Sequence, residues 1–235
     1  MFHNRPVSRG LFITLEGSEG CGKSTQVTRL AARLQREGLQ FLLTREPGGT
    51  PIGEKIRHLL QFAPESAAMR PETELLLFEA SRSQLVREVI EPALARGELV
   101  ISDRFFDSTT VYQGAARKLR PNMVERLNAF AVGTCRPDIT FILDIDVATA
   151  CARLLRRVRP VGAPDRMEQE APEFYERVSA AYRELAARET ERVQLIDGSR
   201  SADEVEGEIW QRLRARFPDR VNSAPSAISN QKSAV

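Results

Sequence analysis

The chain has 235 residues, with 34 Lys plus Arg against 32 Asp plus Glu, and its formal net charge of +2 makes no global case for a nucleic-acid or membrane partner. That length buries a full core as one α/β domain, and no apolar run reaches the roughly 20 residues that span a bilayer. Three widely spaced cysteines (Cys21, Cys135, Cys151) and two histidines argue against a disulfide framework or a zinc site and suit a reducing compartment, so the expected location is cytoplasmic.

Residues 1–10 read as a tail. Leu11-Phe12-Ile13-Thr14-Leu15 then forms an apolar run of strand length that stops at Glu16, too short for a signal-peptide core. It leads into Gly17-Ser18-Glu19-Gly20-Cys21-Gly22-Lys23-Ser24, a match to G-x-x-x-x-G-K-[ST]. In this loop the glycines let successive N–H groups turn toward a phosphate, Lys23 reaches the outer phosphates, and the Ser24 hydroxyl can hold magnesium. Val27, Leu30, Ala31 and Leu34 follow at helical spacing, closed by Gly38. Strand, glycine loop and helix together predict a nucleoside-triphosphate site.

A second buried strand is expected over 39–44, ending in Arg45-Glu46-Pro47-Gly48-Gly49-Thr50-Pro51, whose prolines and glycines impose an irregular loop. Open α/β sheets bind ligands at such strand ends, which would aim Arg45 into a site; a surface turn with a solvated arginine is the alternative. A short helix over 51–60 and a long one from Glu72 to about Ala95 come next. Phe78 and Arg82 share a face of the long helix and could hold a flat base and a phosphate, or be a core ring beside a surface cation.

Leu99-Val100-Ile101-Ser102 is a third strand ending in Asp103-Arg104, and an acid at such a strand end is what a magnesium-associated aspartate of a phosphate-loop enzyme looks like. Ser108, Thr109, Thr110, Tyr112 and Gln113 then concentrate neutral hydrogen-bonding groups that could read a base edge, although Ser108 could equally be a helix cap. A helix through Val124, Leu127 and Phe130 precedes a fourth strand over 139–143 and Asp144. Arg153, Arg156, Arg157, Arg159 and Arg166, interleaved with Pro160, Gly162 and Pro164, make the most basic segment, suited to closing over polyphosphate. Without interleaved aromatics it is a poor stacking platform for nucleic acid. A helix through Phe174 and Leu185, a fifth strand over 193–196 and a last helix through Leu213 complete the pattern, and 218–235 reads as a disordered tail.

Alternating strands and helices predict a parallel sheet covered on both faces, that is, a phosphate-loop α/β enzyme. In order along the chain, Thr44-Arg45-Glu46-Pro47-Gly48-Gly49-Thr50, Phe78-Glu79-Ala80-Ser81-Arg82, Asp103-Arg104 with Ser108, Tyr112-Gln113-Gly114, Arg136-Pro137-Asp138 and Asp165-Arg166-Met167-Glu168 resemble bacterial thymidylate kinases. The resemblance implies a nucleoside-monophosphate-kinase-like fold with a five-stranded parallel sheet, one kinase domain over 11–217 with a lid at about 153–168, and a homodimer. It implies transfer of the γ-phosphoryl of ATP, with Mg2+, to thymidine monophosphate.

Carried onto this sequence, the resemblance puts Phe78 on thymine, Arg82 near the base edge and phosphate, and Arg45 and Arg104 on the acceptor phosphate. It places Ser108, Thr109 and Gln113 around the pyrimidine, Tyr112 under the sugar, and Glu19 toward the acceptor sugar. ATP would be held by the loop from Gly17 through Ser24 and Thr25, with Arg153 toward adenine; Ser24 and Asp103 would serve the metal. Because the loop itself has no arginine, the resemblance is to the subtype whose lid supplies the catalytic cation, here Arg157 or Arg159. Another nucleotide or nucleoside kinase is the alternative. A nucleotide-dependent switch is a further one, for which no Asn-Lys-x-Asp occurs in the chain.

Overall fold

The computed structural model describes residues 9–156 and 166–221. Five parallel strands lie in the order β2-β3-β1-β4-β5, namely β1 (Phe12–Glu16), β2 (Phe41–Arg45), β3 (Leu99–Asp103), β4 (Ile139–Asp144) and β5 (Val193–Asp197). Every expected strand is present, but the second is not the buried strand expected over 39–44: β2 starts at Phe41 and lies at the edge of the sheet, with Leu43 exposed. Alternation within β1 sends Ile13 and Leu15 to the face packed by α1 (Lys23–Arg36) and α9 (Ala202–Arg216). Phe12 faces the other way, against α3 (Pro71–Leu85). With both faces covered, the strand is a continuous apolar run, as a buried parallel strand must be.

Helices α2 (Pro51–Gln61), α6 (Pro121–Val132), α7 (Val147–Arg156) and α8 (Pro172–Arg188) complete the layers. The expected long helix exists but is not uniform. From α3 it passes through a π-turn (Val86–Ile90) into α4 (Glu91–Ala95). The widened turn lies just before Pro92, which lacks an N–H and would otherwise press on the preceding turn. A second π-turn (Thr110–Ala116) follows α5 (Phe106–Thr109) and carries Tyr112 and Gln113. Among the described residues no helix is long and apolar enough to cross a membrane.

One boundary needs correction. Residues from Pro218 onward were expected to be disordered, yet Pro218–Val221 forms a last helical turn, α10, and Val221 is 2% exposed in the core that also holds Leu213. Composition alone hides a single docked apolar side chain. At the other end, Arg9 pairs with Asp138 and the Gly10 amide bonds the Leu94 carbonyl, so the expected tail is already attached there. The rest of both expected tails lies outside the described residues.

Register sets the site. Leu15 and Arg45 both pair with Asp103, the Glu46 amide bonds the Asp103 carbonyl, and the Arg104 amide bonds the Leu15 carbonyl. The glycine loop, Asp103-Arg104 and Arg45-Glu46 therefore leave the sheet side by side, in the crevice beyond the strand ends.

A buried charge ties α5 to the other half of the sheet, where β4 and β5 begin. Asp107 is 0% exposed and takes two bonds from Arg192, at 2.6 and 2.8 Å, while Thr140 joins the same carboxylate at 3.2 Å. Removing the cation would strand an ionised carboxylate in the core. Arg192→Met is expected to cost about 3–5 kcal/mol of unfolding free energy by urea denaturation, and a loss under about 1 kcal/mol would refute this account.

Candidate active site

The glycine loop bends as the phosphate cradle requires. Gly20 has φ +77°, and a β-carbon there would lie 2.5 Å from the Ala150 carbonyl oxygen. Gly22, at φ +96°, starts α1 without any side-chain cap, which leaves the first-turn amides to an anion. Lys23 is 7% exposed, its Nζ resting 3.1 Å from the Gly17 carbonyl oxygen and 3.3 Å from that of Ser18. Among the described residues no carboxylate holds this ammonium. Ser24 Oγ donates to Asp103 at 3.2 Å, so hydroxyl and carboxylate oxygens meet at the mouth of the loop.

These groups line a cavity of about 660 Å³, together with Glu19, Gly20, Cys21, Gly22 and Thr25. Gly17 and Ser18 supply carbonyls beneath it rather than wall. Arg153 lines the donor end and bonds the Gly198 carbonyl at 3.0 Å. The cavity continues without a break to Arg45, Phe78, Arg104, Ser108, Thr109, Tyr112 and Gln113, so donor and acceptor candidates face one space.

Arg104 is the hub. Its backbone adopts φ +72°, and both flanks of that turn are tied: Ser102 Oγ bonds the Arg104 carbonyl at 2.7 Å, and the Phe105 amide bonds Glu16 at 2.7 Å. The guanidinium then reaches Glu19 at 2.5 Å, the Gly17 carbonyl at 3.0 Å, Ser108 at 3.1 Å and the Tyr112 hydroxyl at 3.2 Å. Tyr112 completes a triangle by donating to Glu19 at 2.6 Å. Glu19, Arg104 and Tyr112, predicted separately, are thus one hydrogen-bonded unit.

Glu16 is one acid that sequence reasoning missed, having served only to end an apolar run. It is buried and accepts bonds from Ser108 (2.6 Å) and Tyr182 (2.9 Å) in addition to the Phe105 amide. Burial, and then the nearby Asp107 charge, raise its pKa above the ordinary glutamate value. Tyr182 comes from α8, so the helix after the basic segment is anchored directly to the strand before the glycine loop.

Two further residues escaped notice. Arg57, two turns into α2, lines the cavity and bonds the Pro47 carbonyl at 3.0 Å. Its signal is helical spacing from Pro51, legible only once α2 is placed along the wall. Glu74 binds Gln113 from behind at 2.7 Å.

Arg82 needs correction as a cavity residue. It was expected beside base and phosphate, but it is 1% exposed and is not part of the cavity wall. Glu46 holds it at 2.6 Å and Glu79 at 2.7 Å, with Thr109 at 3.0 Å and Asn128 at 3.2 Å. Burial raises the Glu46 carboxyl and by itself would weaken the Arg82 cation; the close contacts with Glu46 and Glu79 keep the guanidinium charged, above its ordinary value. Helical spacing from Phe78 says which face Arg82 shares, not that two acids already occupy its fork. Its visible effect is to brace Thr109 and the Glu46-Pro47 turn, whose peptide bond is cis.

Arg45 lines the cavity as expected, paired with Glu54 at 2.9 Å. Phe78 is half-buried in the wall. Arg157 and Arg159, the expected lid cations, lie outside the described residues. Arg156, one residue before that segment, lines the cavity, and Arg166, one residue after it, bonds Glu74 and the Leu60 carbonyl.

Comparison with known proteins follows the same lines. The family model for thymidylate kinase matches residues 15–209. A thymidylate kinase of Deinococcus radiodurans is 45% identical over 210 residues, 89% of this chain and 99% of its own length. One of Pseudomonas putida is 48% identical over 200 residues, 85% of this chain and 93% of its own. Among solved structures, the thymidylate kinase of Ehrlichia chaffeensis superposes with a TM-score of 0.69 at 32% identity, covering 88% of this chain and 99% of that one.

Proposed function

The chain belongs to the thymidylate kinase family, and from that premise we propose how its own residues divide the work of moving a phosphoryl group from ATP to thymidine monophosphate. The chain is a phosphotransferase that uses ATP as donor and thymidine monophosphate as acceptor. The observation that carries the division is the single cavity, lined by Lys23, Ser24 and Arg153 and also by Arg45, Phe78, Tyr112 and Gln113, with the Arg104–Glu19 pair tying the acceptor residues to the glycine loop.

The acceptor is an anionic phosphate monoester, so no general base is needed and catalysis is positioning plus charge stabilisation. Lys23 and the first amides of α1 hold the donor phosphates, and Arg153 lies toward the adenine. Arg45, Arg57 and Arg104 orient the acceptor phosphate. Phe78 stacks on the base, Ser108, Thr109 and Gln113 meet its edge, and Tyr112 lies under the sugar where a ribose 2′-hydroxyl would project. Ser24 and Asp103 are both hard oxygen donors, 3.2 Å apart at the loop mouth, and fit Mg2+ directly or through water. The ion, when bound with ATP, neutralises charge on the phosphates.

The basic segment supplies the cation that the loop lacks. Exchanging Arg157 and Arg159 together for Ala is expected to lower kcat at least about a hundredfold, with KM for thymidine monophosphate shifting only a few-fold. An unchanged kcat refutes that role.

Exposed apolar side chains, including Ile52, Leu76, Met123 and Phe130, lie on α2, α3 and α6, which pack together and favour a homodimer through these helices. Light scattering giving the mass of one chain would overturn this. The three cysteines are free thiols, which suits the cytoplasm.

The function is tested by an acceptor panel in a coupled ADP-release assay with ATP and magnesium. Thymidine monophosphate should give the highest kcat/KM. Equal or better turnover with uridine or adenosine monophosphate would overturn the reading.

A further inference from the structure

Gln113 lines the acceptor end of the cavity from the π-turn, and its amide is not free to choose which end it shows. Behind it stands Glu74, 1% exposed on the first turn of α3, whose Oε1 lies 2.7 Å from Gln113 Nε2. An ionised carboxylate only accepts, so the Gln113 atom facing it must be the amino group. Glu74 is kept ionised by its other partners. Arg117 reaches both carboxylate oxygens at 3.2 Å, and Arg166 bonds Oε2. Burial would raise the Glu74 carboxyl, but Arg117, Gln113 and Arg166 more than offset it and hold the group below the ordinary glutamate value. Nε2 carries two N–H groups and one of them is spent on Glu74, so the amide cannot turn its amino end into the cavity, and the carbonyl Oε1 on its other arm is the end left for the base.

We propose that Glu74 is a positioning residue for base selection: by anchoring the Gln113 amino group it fixes the amide with its carbonyl oxygen toward the base edge, so the site takes a pyrimidine that donates from N3, as thymine does, and rejects cytosine, whose N3 is itself an acceptor. This rests on the reading of Gln113 as a base-edge contact of a thymidine monophosphate kinase. Two acceptors facing each other leave both unsatisfied, and a site built around a hydrogen bond rejects a base that cannot make it.

The test is the ratio of kcat/KM for thymidine monophosphate over deoxycytidine monophosphate. In Glu74→Gln the neutral amide can donate or accept, Gln113 is released to turn, and the ratio is expected to fall at least about tenfold. The exchange Glu74→Gln with Gln113→Glu should restore the preference for thymine, because Gln at 74 then donates and Glu at 113 still shows an oxygen to the base. A merely structural role would lower both substrates together and gain nothing from the exchange. An unchanged ratio in Glu74→Gln, or an exchange variant as unselective as the single one, overturns the proposal. If the wild-type protein fails to phosphorylate thymidine monophosphate, it is the functional reading that fails instead.

Thermal melting checks that the variants fold. Should they not, the wild-type Gln113 side-chain amide, assigned by triple-resonance NMR, decides. Its amino protons should keep their nuclear Overhauser contacts to Glu74 when thymidine monophosphate is added, and loss of those contacts with new ones to the base would show the amino group turning to the base and overturn the proposal.

Discussion

Lys23→Met is expected to lower kcat by at least a hundredfold, about 3 kcal/mol of transition-state stabilisation, while the protein stays folded. The two halves of this expectation have separate grounds. Turnover falls because the ammonium is the one cation of the glycine loop, and a methionine of similar length offers no charge to the transferring group. Stability holds because, among the described residues, Lys23 Nζ contacts only the Gly17 and Ser18 carbonyls and, at 3.9 Å, the Cys21 sulfur. No buried carboxylate is stranded by its loss. An apolar side chain in a position 7% exposed removes a desolvated charge, so the melting temperature should be unchanged or slightly raised. A coupled ADP-release assay and a thermal melt on one preparation read both. Normal kcat in the folded variant would sink the assignment of Lys23 to the donor phosphates.

Arg104→Ala should damage both activity and stability. Its guanidinium joins Glu19, Tyr112, Ser108 and the Gly17 carbonyl, and in the proposed function the same group receives the acceptor phosphate. Loss of that cation is expected to reduce kcat/KM for thymidine monophosphate by at least about a hundredfold, with KM for ATP changing only a few-fold. Glu19 and Tyr112 would be left without their shared partner, at about 1–3 kcal/mol of stability. The positive φ at position 104 remains whichever L-residue stands there, so the stability loss reports the side chain rather than the turn. Steady-state kinetics with each substrate varied in turn, together with urea denaturation, measure the two effects. A kcat/KM for the acceptor within a few-fold of wild type would show that Arg104 organises the loop without touching substrate.

Local signals made the scaffold legible. Each strand is a short apolar run between turn residues, and each major helix keeps its apolar spacing, so element types and order could be read residue by residue. The same is true of Ser24 and Asp103, because a motif and a strand end each prescribe a position. Arg82 shows where such reading stops. Its helical phase relative to Phe78 was correct, but its environment depended on Glu46 arriving from a loop 36 positions away. Glu16 and Glu74 were passed over for a related reason. A buried carboxylate looks like any other glutamate until the elements that bury it are assembled. Pro218–Val221 was misjudged because one apolar side chain finds a slot that composition cannot display.

By itself the sequence determined the phosphate loop, the alternation that makes a parallel sheet and, through separated motifs, the family, because each depends on neighbours within a few positions. Only the tertiary structure decided which side chains meet. Parallel register brought Leu15 and Arg45 opposite Asp103, and so put the glycine loop, Asp103-Arg104 and Arg45 on one edge. Packing then gave each buried charge its partner: Asp107 to Arg192, Arg82 to Glu46 and Glu79, and Glu74 to Gln113 and Arg117. A charge without water must be paired within hydrogen-bonding distance, and that distance is a property of the fold rather than of spacing along the chain.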